Sequence, residues 1–188
     1  MRPLFPSALL ALVATAAFAD TYEAPMRDYV SQDVKAWLSD PQIVSAVRRA
    51  NRAHAALSAD DITALDLKWR AELGQDSAPT IDPVANSATS DFLKERVDAA
   101  GGVITEILVM DSRGLNVAVS TLTSDYWQGD EAKYTETYGK GPDAWHVSEI
   151  DYDESTQLYQ AQVSLTLIDP ATSTPIGAAT IGLNAEAF

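Results

Sequence analysis

The stretch VITEILVMDSRGLNVAVS, residues 103–120, sets the architecture of the chain. Val103 to Met110 is an apolar run of strand length, broken only by Thr105 and Glu106. Asp111-Ser112-Arg113-Gly114 then supplies turn chemistry, with Asp at the start and Gly where a positive φ is easiest. Beyond it Leu115, Val117 and Val119 alternate with Asn116, Ala118 and Ser120, the period of a strand with one buried face. Two strands and a tight turn make a hairpin.

Toward the C-terminus the same period continues. Trp145 to Tyr152 and Tyr159 to Ile168 read as a third and a fourth strand, joined through Asp153-Glu154-Ser155-Thr156. On the fourth, Ala161, Val163, Leu165 and Leu167 oppose Gln160, Gln162, Ser164 and Thr166. A turn around Asp169-Pro170-Ala171-Thr172 leads to the fifth strand, Pro175 to Leu183. The one long crossover joins the second strand to the third and carries Thr123 to Tyr134, the most distinctive segment of the chain.

Toward the N-terminus the period changes to that of helices. Met26, Val30, Val34 and Trp37 follow at four, four and three residues and define one stripe. Asp40-Pro41 reads as an N-cap and a first helical Pro, opening a helix to about Leu57 with Ile43, Val44 and Val47 inward. Ser58-Ala59-Asp60-Asp61 caps a third helix, whose apolar face is Ile62, Leu65, Trp69 and Leu73. Residues 74–86, with Pro79 and Pro83, read as a loop. A last helix from about Thr89 to Ala100 buries Phe92, Leu93 and Val97 and is stopped by Gly101-Gly102. Helices followed by hairpin-linked strands specify an α+β domain with a five-stranded antiparallel sheet.

Arg2, the apolar run Leu9 to Phe18 and the small-residue site Ala17-Phe18-Ala19 have the layout of a secretory signal peptide, cleaved after Ala19. The apolar run is far below the ~20 residues that span a bilayer. The expected organisation is a leader at 1–19, a helical region at 20–102 and a sheet domain at 103–188 that forms one unit with the helices. A periplasmic or secreted location follows. With 12 of 13 basic and all 27 acidic residues retained, the mature chain carries 12 − 27 = −15 charges. Such a surface repels nucleic acid and anionic lipid and favours solubility.

Cysteine is absent, which excludes disulfides, thiol nucleophiles and thiolate metal sites. His54 and His146 are the two histidines. No Gly-x-Ser-x-Gly elbow or paired acid motif accompanies His146, so no catalytic constellation can be assembled and no cofactor is implied. Glu149, Asp151, Asp153 and Glu154 lack the Asp/Asn-rich loop with central Gly of a calcium-binding EF-hand.

The ordered set of strand, Asp111-x-x-Gly114, strand ending near Ser120, then Asp125-Tyr126-Trp127-Gln128-Gly129-Asp130-Glu131, resembles the extracytoplasmic PAS-like sensor domains called PDC or Cache domains. The strands around Asp153-Glu154-Ser155-Thr156 and the closing hairpin from Asp169-Pro170 to Ile176-Gly177-Ala178 extend the resemblance over about Val103 to Leu183. It implies a PAS-like sheet ordered 2-1-5-4-3, with a small ligand between the sheet and the segment linking its second and third strands. It also implies sensing. Since the sequence stops at Phe188 without a signalling module, the message would pass to a separate membrane sensor protein.

Within and just after the crossover, Tyr126, Trp127, Tyr134, Tyr138 and Trp145 supply five of the eleven Trp and Tyr residues. Amphipathic rings suit a pocket around a small organic molecule, and equally suit core at one end of the sheet. Asp130 and Lys133 lie one turn apart; they form a surface ion pair, or Lys133 takes a ligand carboxylate and Asp130 its amine. The expected ligand-binding set is therefore Tyr126, Trp127, Asp130, Lys133, Tyr134 and Trp145, for an amino acid or carboxylate. Asp111 and Gly114 are read as turn residues alone. The alternative is a ligand-free interaction module, docking on a sensor kinase or self-associating as a homodimer through its N-terminal helices.

Overall fold

Apolar stripes at helical spacing in the first half and alternating faces in the second place a helical layer over one face of an antiparallel sheet. The computed structural model describes residues 16–153 and 157–188. The leader reading falls on residues 1–15, outside the described part, and on the first turn of α1 (Ala16–Tyr29). No helix among the described residues is long and apolar enough to cross a membrane.

From α1 the chain passes through a π-helical turn, Val30–Val34, into α2 (Lys35–Leu38). Met26, Val30, Val34 and Leu38 are all buried. Residues four apart drift around an ideal helix of 3.6 residues per turn, and the wider π-turn takes up that drift. Trp37 instead lies half-buried on the flank, edge-on to Phe92. Asp40 caps α3 (Pro41–His54) through the Gln42 N–H at 2.8 Å. Ser58 and Asp61 close a capping box at the start of α4 (Ala59–Glu72).

The expected loop at 74–86 contains a short helix, α5 (Asp82–Ala85). Glu72 organises the approach to it: its carboxylate accepts from the Thr80 and Ile81 N–H groups and the Thr80 hydroxyl. Helix α6 (Ala88–Ala99) then leads to the sheet.

The strands are β1 (Ile104–Asp111), β2 (Asn116–Val119), β3 (Trp145–Val147), β4 (Asp151–Asp153), β5 (Leu158–Asp169) and β6 (Thr174–Asn184). Their order is β2-β1-β6-β5-β3, with β4 also on β5, and every pairing is antiparallel. Taking β3 and β4 together as the third strand gives the order 2-1-5-4-3. Residues 145–152 do not form the single strand expected from the sequence but two, β3 and β4. Ser148 is the cause, because its hydroxyl accepts the Gln162 N–H at 2.8 Å while its own N–H donates to the Gln162 carbonyl. A side chain thus takes a place in the ladder, and the edge breaks before β4.

The two faces of the sheet differ. On the helix face, Ile107, Val109, Ala161, Val163, Leu165, Leu167, Ala179, Ile181 and Leu183 pack with Met26, Val30, Val34, Ile43, Val47 and Leu93. On the other face, Leu108, Met110, Leu115, Val119 and Ala178 pack against Ile62, Trp69, Ile81, Val84 and Tyr126. Toward β5 this second face becomes polar, with Gln160, Ser164, Thr166 and Thr180 buried and Ser164 and Thr180 sharing a hydrogen bond of 3.0 Å.

Candidate functional site

The crossover first returns along the outer edge of β2. The Asn116 N–H donates to the Tyr126 carbonyl and the Gln128 N–H to that of Gly114, with Leu115 and Trp127 bridged. Asp66 on α4 holds the segment from the other side, one oxygen accepting the Tyr126 and Trp127 N–H groups at 2.9 and 3.0 Å. Arg70 donates to its second oxygen at 2.8 Å. Partial burial of Asp66 works against its charged form. The Trp127 N–H, the Arg70 guanidinium and the Tyr126 N–H outweigh that, and the carboxyl lies below its usual range.

Trp127 is locked in place. Its indole N–H donates to the Arg113 carbonyl at 2.8 Å, and a Cβ on Gly129 would overlap the ring. Gly114, at φ 77°, lies so close that a Cβ there would be 2.6 Å from the Gly129 Cα. Tyr134, in the short helix α7 (Ala132–Thr135), donates its hydroxyl to the Ser112 carbonyl at 2.8 Å and stacks on Tyr138. Burial pushes its phenol well above the usual value. Trp127 and Tyr134 share a hollow of about 300 Å³ with Ile62 and Arg113. Asp130 is exposed and opens on another, of about 310 Å³, together with Asp66, Arg70 and Asp125.

Lys133 lies elsewhere, over the polar half of the sheet. Its side chain is 15% exposed, and its ammonium meets Glu131 at 3.1 Å and the Gln128 carboxamide oxygen at 3.2 Å. Gln128 is buried and anchored by a 2.6 Å donation to Asp125. Lys133 and Glu131 face Ser148, Glu149, Asp151, Tyr152, Gln160 and Gln162 across a cavity of about 590 Å³. The floor is a built network: Gln162 donates to Glu106 at 2.8 Å, and Gln160 accepts from Thr105 at 2.5 Å. An ammonium has three N–H donors, and Glu131 and Gln128 use two. The third has no partner among the described residues.

The six residues expected at the site are thus divided. Trp127 and Tyr134 line one hollow, Trp127 and Asp130 a second, and Lys133 the large cavity. Tyr126 is 7% exposed, stacked on Trp69 with centroids 5.1 Å apart. It faces a fourth cavity, toward α3. Trp145 pairs with Leu165 on the helix face, where Arg27 and Lys35 approach its ring at 5.5 and 5.8 Å.

Sequence reading also missed a cluster on the polar flank of α3. Arg48 donates to Asp169 through Nε at 2.6 Å and a terminal nitrogen at 2.5 Å. The Asn51 carboxamide donates to the Ile176 carbonyl and accepts the Ser112 N–H. His54 Nδ1 meets the buried carboxylate of Asp111 at 2.6 Å. Asp111 is therefore more than a turn residue. Its other oxygen accepts the Arg113 and Leu115 N–H groups, so one side chain joins α3 to the β1–β2 turn. The spacing Arg48, Asn51, His54 at three residues was the available signal, since it puts all three on one flank.

The antiparallel strand order and the single crossover define a PAS-like α+β fold, as the resemblance implies. No family model matches the chain, and no curated relative matches it. Among solved structures it is similar to the extracellular domain of a protein described as a histidine kinase, rpHK1S-Z16, at 13% identity and TM-score 0.43. It is similar also to the sensor domain of the Vibrio cholerae histidine kinase DctB, at 14% and 0.40. A third is the ligand-binding domain of the Campylobacter jejuni chemoreceptor Tlp3 in complex with L-norvaline, at 14% and 0.41. Each alignment covers 88% of this chain, which spans 61%, 58% and 61% of the respective structures. At these identities the likeness concerns fold alone.

Proposed function

We propose that the chain is a periplasmic or secreted sensor domain that binds a small zwitterion or carboxylate, of the amino acid class, in the cavity between the crossover and β4–β5. The observation that carries this reading is the polar floor of that cavity beneath the nearly buried Lys133. A ligand-free module would be expected to fill the space with well-packed Leu and Phe. Lys133 offers its remaining N–H to the ligand carboxylate. Glu149 and Asp151, among the lining carboxylates, favour its ammonium group. A bound domain would pass its state to a separate membrane sensor protein, the N-terminal helices being the surface for that contact or for self-association.

The test is thermal denaturation and calorimetric titration against a library of amino acids and carboxylates. A ligand at a hundredfold excess over its Kd stabilises by about 2.7 kcal/mol, or roughly 5–10 °C for a domain of this size. Lys133→Met should weaken binding by about tenfold or more. A parent protein that no library member stabilises would sink the ligand reading and put the interaction module ahead.

A further inference from the structure

The fourth cavity lies at the β2 edge, away from Lys133 and Glu131. It measures about 270 Å³ and is lined by the outer flank of α3, the α5–α6 connection, β2 and Tyr126. Ala46, Ala50 and Ala53 make the hollow, because three small side chains follow one another along α3 where it passes Pro83 and Val84. At ~30 Å³ per small unit of liquid volume, it holds a molecule on the order of nine such units.

Its polar groups are unusual in what they lack. Tyr126 is more than nine-tenths buried, yet its hydroxyl has no partner among the described residues and is not itself sealed from solvent. Burial, with the charge of Asp111 added, pushes that phenol up to about 12, so it stays a neutral donor. His54 spends Nδ1 on Asp111, leaving Nε2 without a partner among the described residues, and its ring stands edge-on to Tyr126. Asn116 gives its amide nitrogen to Thr123 and the Asp125 carbonyl, and its buried oxygen is unsatisfied. At the rim Arg49 is exposed, and its guanidinium meets no carboxylate among the described residues.

We propose that this cavity is a second binding site, for a short hydroxycarboxylate. Arg49 takes the carboxylate, as a guanidinium fork suits. The Tyr126 hydroxyl donates to it as well. With Nδ1 directed at Asp111, His54 has Nε2 left to hydrogen-bond the ligand hydroxyl. The alanines and Val84 enclose its carbon skeleton. This assignment is independent of the Lys133 cavity.

The experiment is calorimetric titration of the intact protein with lactate, glycolate and glycerate, each to about 10 mM, repeated on Arg49→Gln, Tyr126→Phe and Lys133→Met. Saturable binding that falls at least tenfold in Arg49→Gln and Tyr126→Phe, and is unchanged in Lys133→Met, is the expected result. Arg49 is exposed and pairs with no carboxylate among the described residues, so its replacement should leave the fold intact, and circular dichroism checks both variants. No binding by the parent protein would overturn the proposal. So would binding that Lys133→Met abolishes and Arg49→Gln leaves intact.

Discussion

Replacing Asp111 by Ala tests whether one buried carboxylate ties the helical layer to the first hairpin. Asp111 is inaccessible to solvent and receives three donors: the Arg113 N–H at 2.8 Å, the Leu115 N–H at 3.0 Å and His54 Nδ1 at 2.6 Å. Alanine leaves all three without an acceptor. Arg113 and His54 are half-buried and can turn to water, but Leu115 is fully buried, so its stranded N–H alone costs ~1–3 kcal/mol. Adding the lost bonds to the charged carboxylate, ~1.5–3 kcal/mol each at most, brings the total to about 3–5 kcal/mol. At ~2–4 °C per kcal/mol, the melting temperature should fall by roughly 6–20 °C. His54→Ala should cost less, because two N–H donors still hold the carboxylate. The assay is urea denaturation followed by circular dichroism for both single variants and the double variant. The two losses should be non-additive, since the residues share one contact. A cost below about 1 kcal/mol for Asp111→Ala, or strict additivity, would refute the account.

Gly129→Ala places a methyl group against the Trp127 indole and should cost ~1–3 kcal/mol through displacement of the ring; an unchanged denaturation midpoint would show the crossover to be looser than described. Asp66 predicts the acid limb of the stability curve. Its folded pKa is lowered, so the stability it adds is complete above the ordinary value of about 4 and is lost as pH falls through the lowered one. Denaturant midpoints measured from about pH 6 down to about pH 2 should therefore fall further in the parent than in Asp66→Asn, and parallel curves would count against the role given to Asp66.

Much of this structure was legible because it rests on local chemistry. The Asp40 and Ser58 caps, the stop at Gly101-Gly102 and the alternation of β5 depend on neighbours in sequence, and each lies where its residues predict. What escaped depends on contacts distant in sequence. Ser148 divides the third strand through a bond to Gln162, fourteen residues on, and no local pattern announces a hydroxyl in a ladder. Glu72 shapes α5 across eight residues. The side of the sheet on which Trp145 falls is set by its register against Leu165, and a one-residue slip would reverse it. The aromatic residues of the crossover were visible as a group, but their division among separate hollows follows from Asp66 and Gly129, which hold the backbone before the side chains diverge.

The division of labour between the two sheet faces explains how a chain without disulfides can leave cavities open. The helix face buries a continuous apolar layer across β1, β5 and β6, and this is where the main hydrophobic stabilisation resides. The opposite face is apolar only near β1 and β2, beneath α4 and Tyr126. Toward β5 its residues satisfy one another in pairs: Ser164 with Thr180, Gln162 with Glu106, Gln160 with Thr105. Such pairs contribute little net stability, since each replaces bonds to water. They do hold polar groups in fixed directions without demanding that anything cover them. A floor of that kind keeps its polar groups in a fixed arrangement, so under the proposed function a ligand would meet little reorganisation on entry. The Lys133 side chain belongs to this arrangement, because Gln128 and Glu131 position its ammonium over the floor.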